Sequence, residues 1–120
     1  MSDIEFGEEV LSALDAAKFP ITVALWLRET QEDAWELVLG TPLYDRPGPK
    51  DAYRRLTAAF SADGRVPMGD LPIRLESNRR PLIKGLRRLF AKAASVKGMR
   101  LGLQSIGDVW IDDAYVYRIR

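Results

Sequence analysis

The feature that most constrains this chain is an apolar stripe between Ser77 and Ser95. Its members recur at intervals of one and three residues: Leu82, Ile83, Leu86, Leu89, Phe90 and Ala93. At 3.6 residues per turn this spacing collects them on one side of an α-helix. Five cations fall on the opposite side: Arg80, Lys84, Arg87, Arg88 and Lys92. The stripe therefore predicts an amphipathic helix over residues 77–95 that packs its apolar side on the protein and turns its basic side to water.

The rest of the chain shows shorter helix and strand patterns. Helical spacing predicts two further helices, one over Glu8–Lys18 and one that begins at Asp51 and is ended by Asp63 and Gly64. Alternation of apolar and polar residues predicts strands over Ile21–Leu27, Trp35–Leu39, Leu71–Leu75, Leu101–Gln104 and Val109–Ile119. The order α-β-β-α-β-α-β-β is typical of an α+β fold, and we expect a mainly antiparallel sheet of about five strands with three helices packed on it.

Four local signals refine this prediction. Gly85 lies inside the basic helix, where glycine costs about 1 kcal/mol relative to alanine, so we expect another backbone to approach closely there. Gly107 with its following aspartate suits a tight hairpin turn. Pro72 cannot donate to a ladder, which favours the start or edge of a strand. Asp112 and Asp113 interrupt the alternation of the last strand and predict a bulge.

The composition excludes several functional classes. The chain has 120 residues, of which 47% are hydrophobic, and this is the size of one globular domain spanning 1–120. It contains no Cys and no His, so it cannot form a thiol nucleophile, a Ser-His-Asp triad or a typical structural zinc site. Phosphate-binding glycine motifs are also absent, and we expect no cofactor and no metal. The acidic start and the lack of a long apolar run predict a cytoplasmic protein without a membrane segment.

Charge is distributed very unevenly along the chain. The formal net charge is only +1, but residues 1–45 carry a net −8 and residues 77–107 a net +8 without any acid. Such asymmetry is a hint of polyanion binding or of pairing with a charged partner. It is equally compatible with acidic and basic segments that face each other within the fold or are simply solvated.

We expect the basic segment to carry the function. Its candidate polyanion-binding residues are Arg79, Arg80, Lys84, Arg87, Arg88, Lys92, Lys97 and Arg100. Cations on one exposed arc can contact successive phosphates, and such contacts weaken as salt rises. The sequence thus predicts a non-enzymatic binding module whose partner is nucleic acid or an acidic protein.

Three other interpretations stay open. Asp112 and Asp113 are candidate ligands of Mg²⁺ in a nuclease, because that metal prefers oxygen ligands. The acidic hairpin between the first two strands, residues 29–33, is a candidate partner for the basic helix of another copy, which would build a ring or filament. An open sheet face would offer a stacking platform for single-stranded nucleic acid, formed by Trp26, Arg28, Arg74 and Arg118.

Overall fold

The computed structural model describes residues 4–30, 34–64, 72–93 and 95–120. These residues form three α-helices and six strands, in chain order α1 (Ile4–Ala16), β1 (Val23–Glu29), β2 (Glu36–Thr41), α2 (Pro49–Asp63), β3 (Ile73–Ser77), α3 (Pro81–Leu89), β4 (Arg100–Leu101), β5 (Gln104–Ile106) and β6 (Val109–Ile119). A short 3-10 turn, Pro42–Tyr44, follows β2. The α+β class with three helices is confirmed. In the described residues, no helix is both long and apolar enough to cross a membrane.

The strands form one mixed sheet in the order β3-β2-β1-β6-β4, and β5 also pairs with β6. β1 pairs antiparallel with β2, as the predicted hairpin requires, and on its other side it pairs antiparallel with β6. Two details differ from the prediction. β2 and β3 run parallel, because α2 lies between them in the chain and carries it back to the same end of the sheet. The sheet has six strands, because the segment predicted as one strand over 101–104 is divided into β4 and β5.

The helices cover opposite faces of the sheet because β1 alternates its side chains between the two faces. Ala24 and Trp26 belong to an apolar cluster with residues of α1 and α2. Val23, Leu25 and Leu27 belong to a second cluster with residues of α3. The molecule therefore has three layers, and α3 lies on the face opposite α1 and α2.

The predicted turns and bulges have clear structural causes. Gly107 has φ of +61°, the left-handed conformation that its hairpin turn needs. A Cβ atom on Gly85 would lie 2.9 Å from Cγ2 of Ile106 and 3.4 Å from the backbone nitrogen of Gly107, so the predicted close approach is confirmed. The register of β1 against β6 shifts opposite Asp112, which confirms the bulge. Pro72 directly precedes β3, an edge strand, as predicted.

Helix boundaries differ from the predicted ones by up to six residues. The helix predicted over 77–95 is the nine-residue α3, which ends at Leu89. Arg80 is its N-cap and has extended backbone, and Phe90 leaves helical geometry at the other end. Lys92 consequently lies beyond the helix. Of the predicted features, residues 31–33 of the acidic hairpin and Leu71 lie outside the described residues.

Candidate functional site

Part of the predicted basic side of α3 is exposed. Leu82, Ile83 and Leu86 are fully buried against the sheet and hold the helix in place. Lys84 and Arg88 are exposed on the outer side, one helical turn apart, which is a rise of about 6 Å. Neither has an ion pair or side-chain hydrogen bond with the part of the chain that the structure describes. Together with Arg87, they form what we call the basic face of α3.

Arg87 connects this face to the end of the chain's last strand. Its Nε donates a 3.0 Å hydrogen bond to the backbone oxygen of Arg120. Arg120 is exposed and helps to lower the pKa of Asp15 on α1, whose carboxylate is held mainly by a hydrogen bond from Arg118. The C-terminal end of β6 thus contacts α3 on one side and pairs with α1 on the other.

Arg80 does not belong to the basic face, because its backbone precedes the helix and its side chain turns inward. It pairs with Glu76 and lies 3.4 Å from the carboxylate of Asp108. Arg74 meets the same Glu76 with Nε at 3.0 Å and also pairs with Glu36 at 2.8 Å. These residues form a partly buried ionic network, so the protein's own carboxylates occupy Arg80.

The remaining candidates are scattered. Arg100 pairs with Asp113 at 2.7 Å. Lys97 lines a cavity of about 380 Å³ with Glu8 and Asp15 of α1, on the face opposite α3. Arg79, which precedes the helix, and Lys92, which follows it, are exposed. Of the eight predicted residues, the structure groups Lys84, Arg87 and Arg88 on α3, places Arg79 and Lys92 at its flanks, and separates the other three.

The predicted aromatic platform is wrong. Trp26 is only 3% exposed because α1 covers it, and its Nε1 donates a 3.0 Å hydrogen bond to the hydroxyl of Tyr117. Arg74 and Arg118 are both engaged by carboxylates. In the described residues, the side of the sheet that carries Trp26 forms a packed core with α1 and α2, and the proposed platform residues are not available for stacking bases.

The two adjacent aspartates face different arginines. Asp112 pairs with Arg28, and Asp113 pairs with Arg100. The described ranges contain no group of three or more acidic side chains placed to hold a metal ion. Mg²⁺ is octahedral and is usually held by one or two carboxylates together with substrate oxygens. Asp112 and Asp113 are each paired with an arginine, so their carboxylates are poorly placed to bind this metal.

Arg120 is the residue that sequence reasoning missed. A signal was present, since Arg118 and Arg120 flank Ile119 at the end of the predicted last strand. The role of Arg120 depends on its contact with Arg87 of α3, which alternation along one strand does not encode.

Comparisons with protein-family models, curated proteins and solved structures find no match to this chain. Function has therefore to be inferred from the geometry of the basic face and its surroundings.

Proposed function

We propose that the protein is a binding module that docks the basic face of α3 on the phosphate backbone of a nucleic acid. The observation that carries this proposal is the pair Lys84 and Arg88, exposed on a rigidly anchored helix without a carboxylate partner in the described residues. Every cation that contacts a phosphate releases condensed counterions, so even a few such contacts give binding that depends strongly on salt.

The chemistry of the face favours a phosphate backbone over an acidic protein. Protein interfaces usually have a core of buried aromatic and aliphatic anchors surrounded by a polar rim. The outer arc of α3 carries only cations, and the exposed Leu89 lies a further 100° or so around the helix from Arg88. A surface that offers charge without an apolar anchor suits a polyanion that is recognised by charge alone. We therefore expect binding with little sequence preference.

The test replaces Lys84 and Arg88 with alanine and leaves Arg87 intact, because Arg87 holds Arg120. With duplex DNA as the probe, the slope of log affinity against log salt should become shallower by about two units, since two phosphate contacts are removed. The matched control is the double change Arg54→Ala and Arg55→Ala on α2, which removes the same charge from the opposite face of the sheet. This control should bind DNA as the unmodified protein does.

Three results would overturn the proposal. If the α3 variant retains full affinity for DNA and RNA, the basic face does not bind nucleic acid. If both variants lose affinity equally, only the net charge matters and α3 is not a site. Binding of polyglutamate but not of nucleic acid would also refute it, and would favour an acidic protein partner.

A second candidate function is head-to-tail self-association. α1, on the face opposite α3, exposes Glu5, Glu8 and Glu9, so two helices of opposite charge lie on opposite sides of one sheet. Contacts between the acidic helix of one copy and the basic helix of the next would extend an assembly. Sedimentation velocity at low and high salt tests this, and a monomer at both salt concentrations rejects it.

A further inference from the structure

A second surface of the molecule has the character of a small-molecule site. A cavity of about 500 Å³ lies where the C-terminal end of α1 meets α2, on the face opposite α3. Phe19, Leu43 and Ala59 provide buried or half-buried apolar walls, and Ala58 and Ala62 of α2 line it with small side chains. Ligand cavities are typically of this size, mostly apolar, with a small number of polar groups that fix orientation.

The polar groups of this cavity all carry the same charge. Lys18 and Arg55 line it, and its described lining contains no acidic side chain. Both side chains are exposed and have no ion pair or hydrogen bond within the described parts of the chain. Two unpaired cations beside an apolar wall are complementary to a molecule that carries an anionic group on an apolar body.

The first of these cations, Lys18, has an unfavourable backbone conformation. Lys18 has φ of +58°, just after the end of α1. Helices commonly place glycine at this position because a side chain there is disfavoured. Here the backbone closes normally, with the N–H of Phe19 bonded to the carbonyl of Leu14 at 2.9 Å. Glycine at position 18 would therefore be compatible with the fold, whereas the lysine adds an ammonium group beside the cavity.

We propose that this cavity binds a small amphiphilic anion, a carboxylate attached to an apolar chain. The carboxylate of this ligand forms charge-assisted hydrogen bonds with Lys18 and Arg55. Its apolar chain packs on Phe19, Leu43 and Ala59. The site does not involve α3, so it stands or falls independently of nucleic-acid binding.

The first experiment titrates the full chain with three probes and follows backbone amide signals by NMR. Decanoate, kept below its micellar concentration, should shift the amides around Phe19 and Ala59 in a saturable way. Decanol has the chain without the charge and acetate has the charge without the chain, so both should bind more weakly than decanoate. Equal binding of decanol and decanoate, or shifts spread over the whole surface, would overturn the proposal.

Variants then test the residues. Lys18→Gly removes the cation at a backbone position that favours glycine, so the protein should stay folded while decanoate affinity falls about tenfold. Ala62→Leu, at an exposed helical position, should block the cavity and abolish saturable binding.

Arg54→Gln is the matched control, because Arg54 neighbours Arg55 but pairs with Asp51. The Lys84 and Arg88 variant is a second control. Unchanged affinity in Lys18→Gly and Ala62→Leu, or an equal loss in either control, would refute the site.

Discussion

Replacing Gly7 with alanine should destabilise the protein, although alanine is the better helix former. Gly7 lies in α1 and is buried against the ring of Tyr117. A Cβ atom at this position would lie 2.2 Å from the tyrosine hydroxyl oxygen, 2.4 Å from Cζ and 2.6 Å from Cε2. These distances are far below van der Waals contact, so the ring or the helix has to move.

The ring is not free to move, because its hydroxyl group is held from two sides. It donates to the backbone oxygen of Ile4 at 2.6 Å and accepts from Nε1 of Trp26 at 3.0 Å. Helix propensity favours the alanine by up to about 1 kcal/mol. Each displaced hydrogen bond costs about 1 kcal/mol, and overpacking costs a further 1–3 kcal/mol or so. The strain and the displaced hydrogen bonds therefore outweigh the gain in helix propensity. We expect a net loss of about 2–4 kcal/mol in the free energy of unfolding.

Urea denaturation followed by far-UV circular dichroism and by tryptophan fluorescence measures this loss. Gly102→Ala is the matched control, because a Cβ atom there meets nothing within 4 Å, and we expect its stability to stay close to that of the unmodified protein. If Gly7→Ala is as stable as the unmodified protein or more stable, then Gly7 does not pack against the ring of Tyr117. The predicted loss of stability is then refuted.

Two further predictions concern pH and a turn. The hydrogen bond from Arg118 lowers the pKa of Asp15 in the folded protein, so this pair stabilises the fold at neutral pH and loses its effect as the pH falls through about 4 and below. Asp15→Asn should therefore show a shallower loss of stability in acid, measured by urea midpoints between neutral and acidic pH; an identical pH profile contradicts the pairing. Gly107→Ala should cost about 3 kcal/mol or more, because the new Cβ would lie 2.3 Å from the backbone of Pro81 at a positive φ. A thermal midpoint close to that of the unmodified protein would show that the turn is not constrained.

Local patterns in the sequence predicted the elements better than their arrangement. The alternation in β1 and the stripe in α3 arise from burial on one side, which is a property of the segment itself. The parallel pairing of β2 with β3 was missed, because alternation shows which side of a strand is buried but not which strand lies beside it. The early end of α3 was missed because the apolar spacing continues through Phe90 and Ala93 after the helix has ended.

The candidate site shows the same division. Helical spacing alone correctly placed Lys84 and Arg88 on the exposed side. It also placed Arg80 there, which is wrong, because an N-cap residue has extended backbone and its side chain leaves the helical pattern. Glu76, four residues earlier in the chain at the end of β3, and Asp108, in the turn before β6, both engage Arg80. The contact with Glu76 is local in sequence, whereas only the tertiary structure brings Asp108 to Arg80.

The outer strand β3 also bears on how copies of this protein meet at high concentration. An edge strand offers unpaired amide groups on which a foreign strand can assemble. Here the hydroxyl of Tyr53, on α2, accepts the N–H of Leu75 at 2.9 Å. The phenol occupies the backbone N–H of Leu75, so a strand that paired with β3 at this position would first have to displace this hydrogen bond.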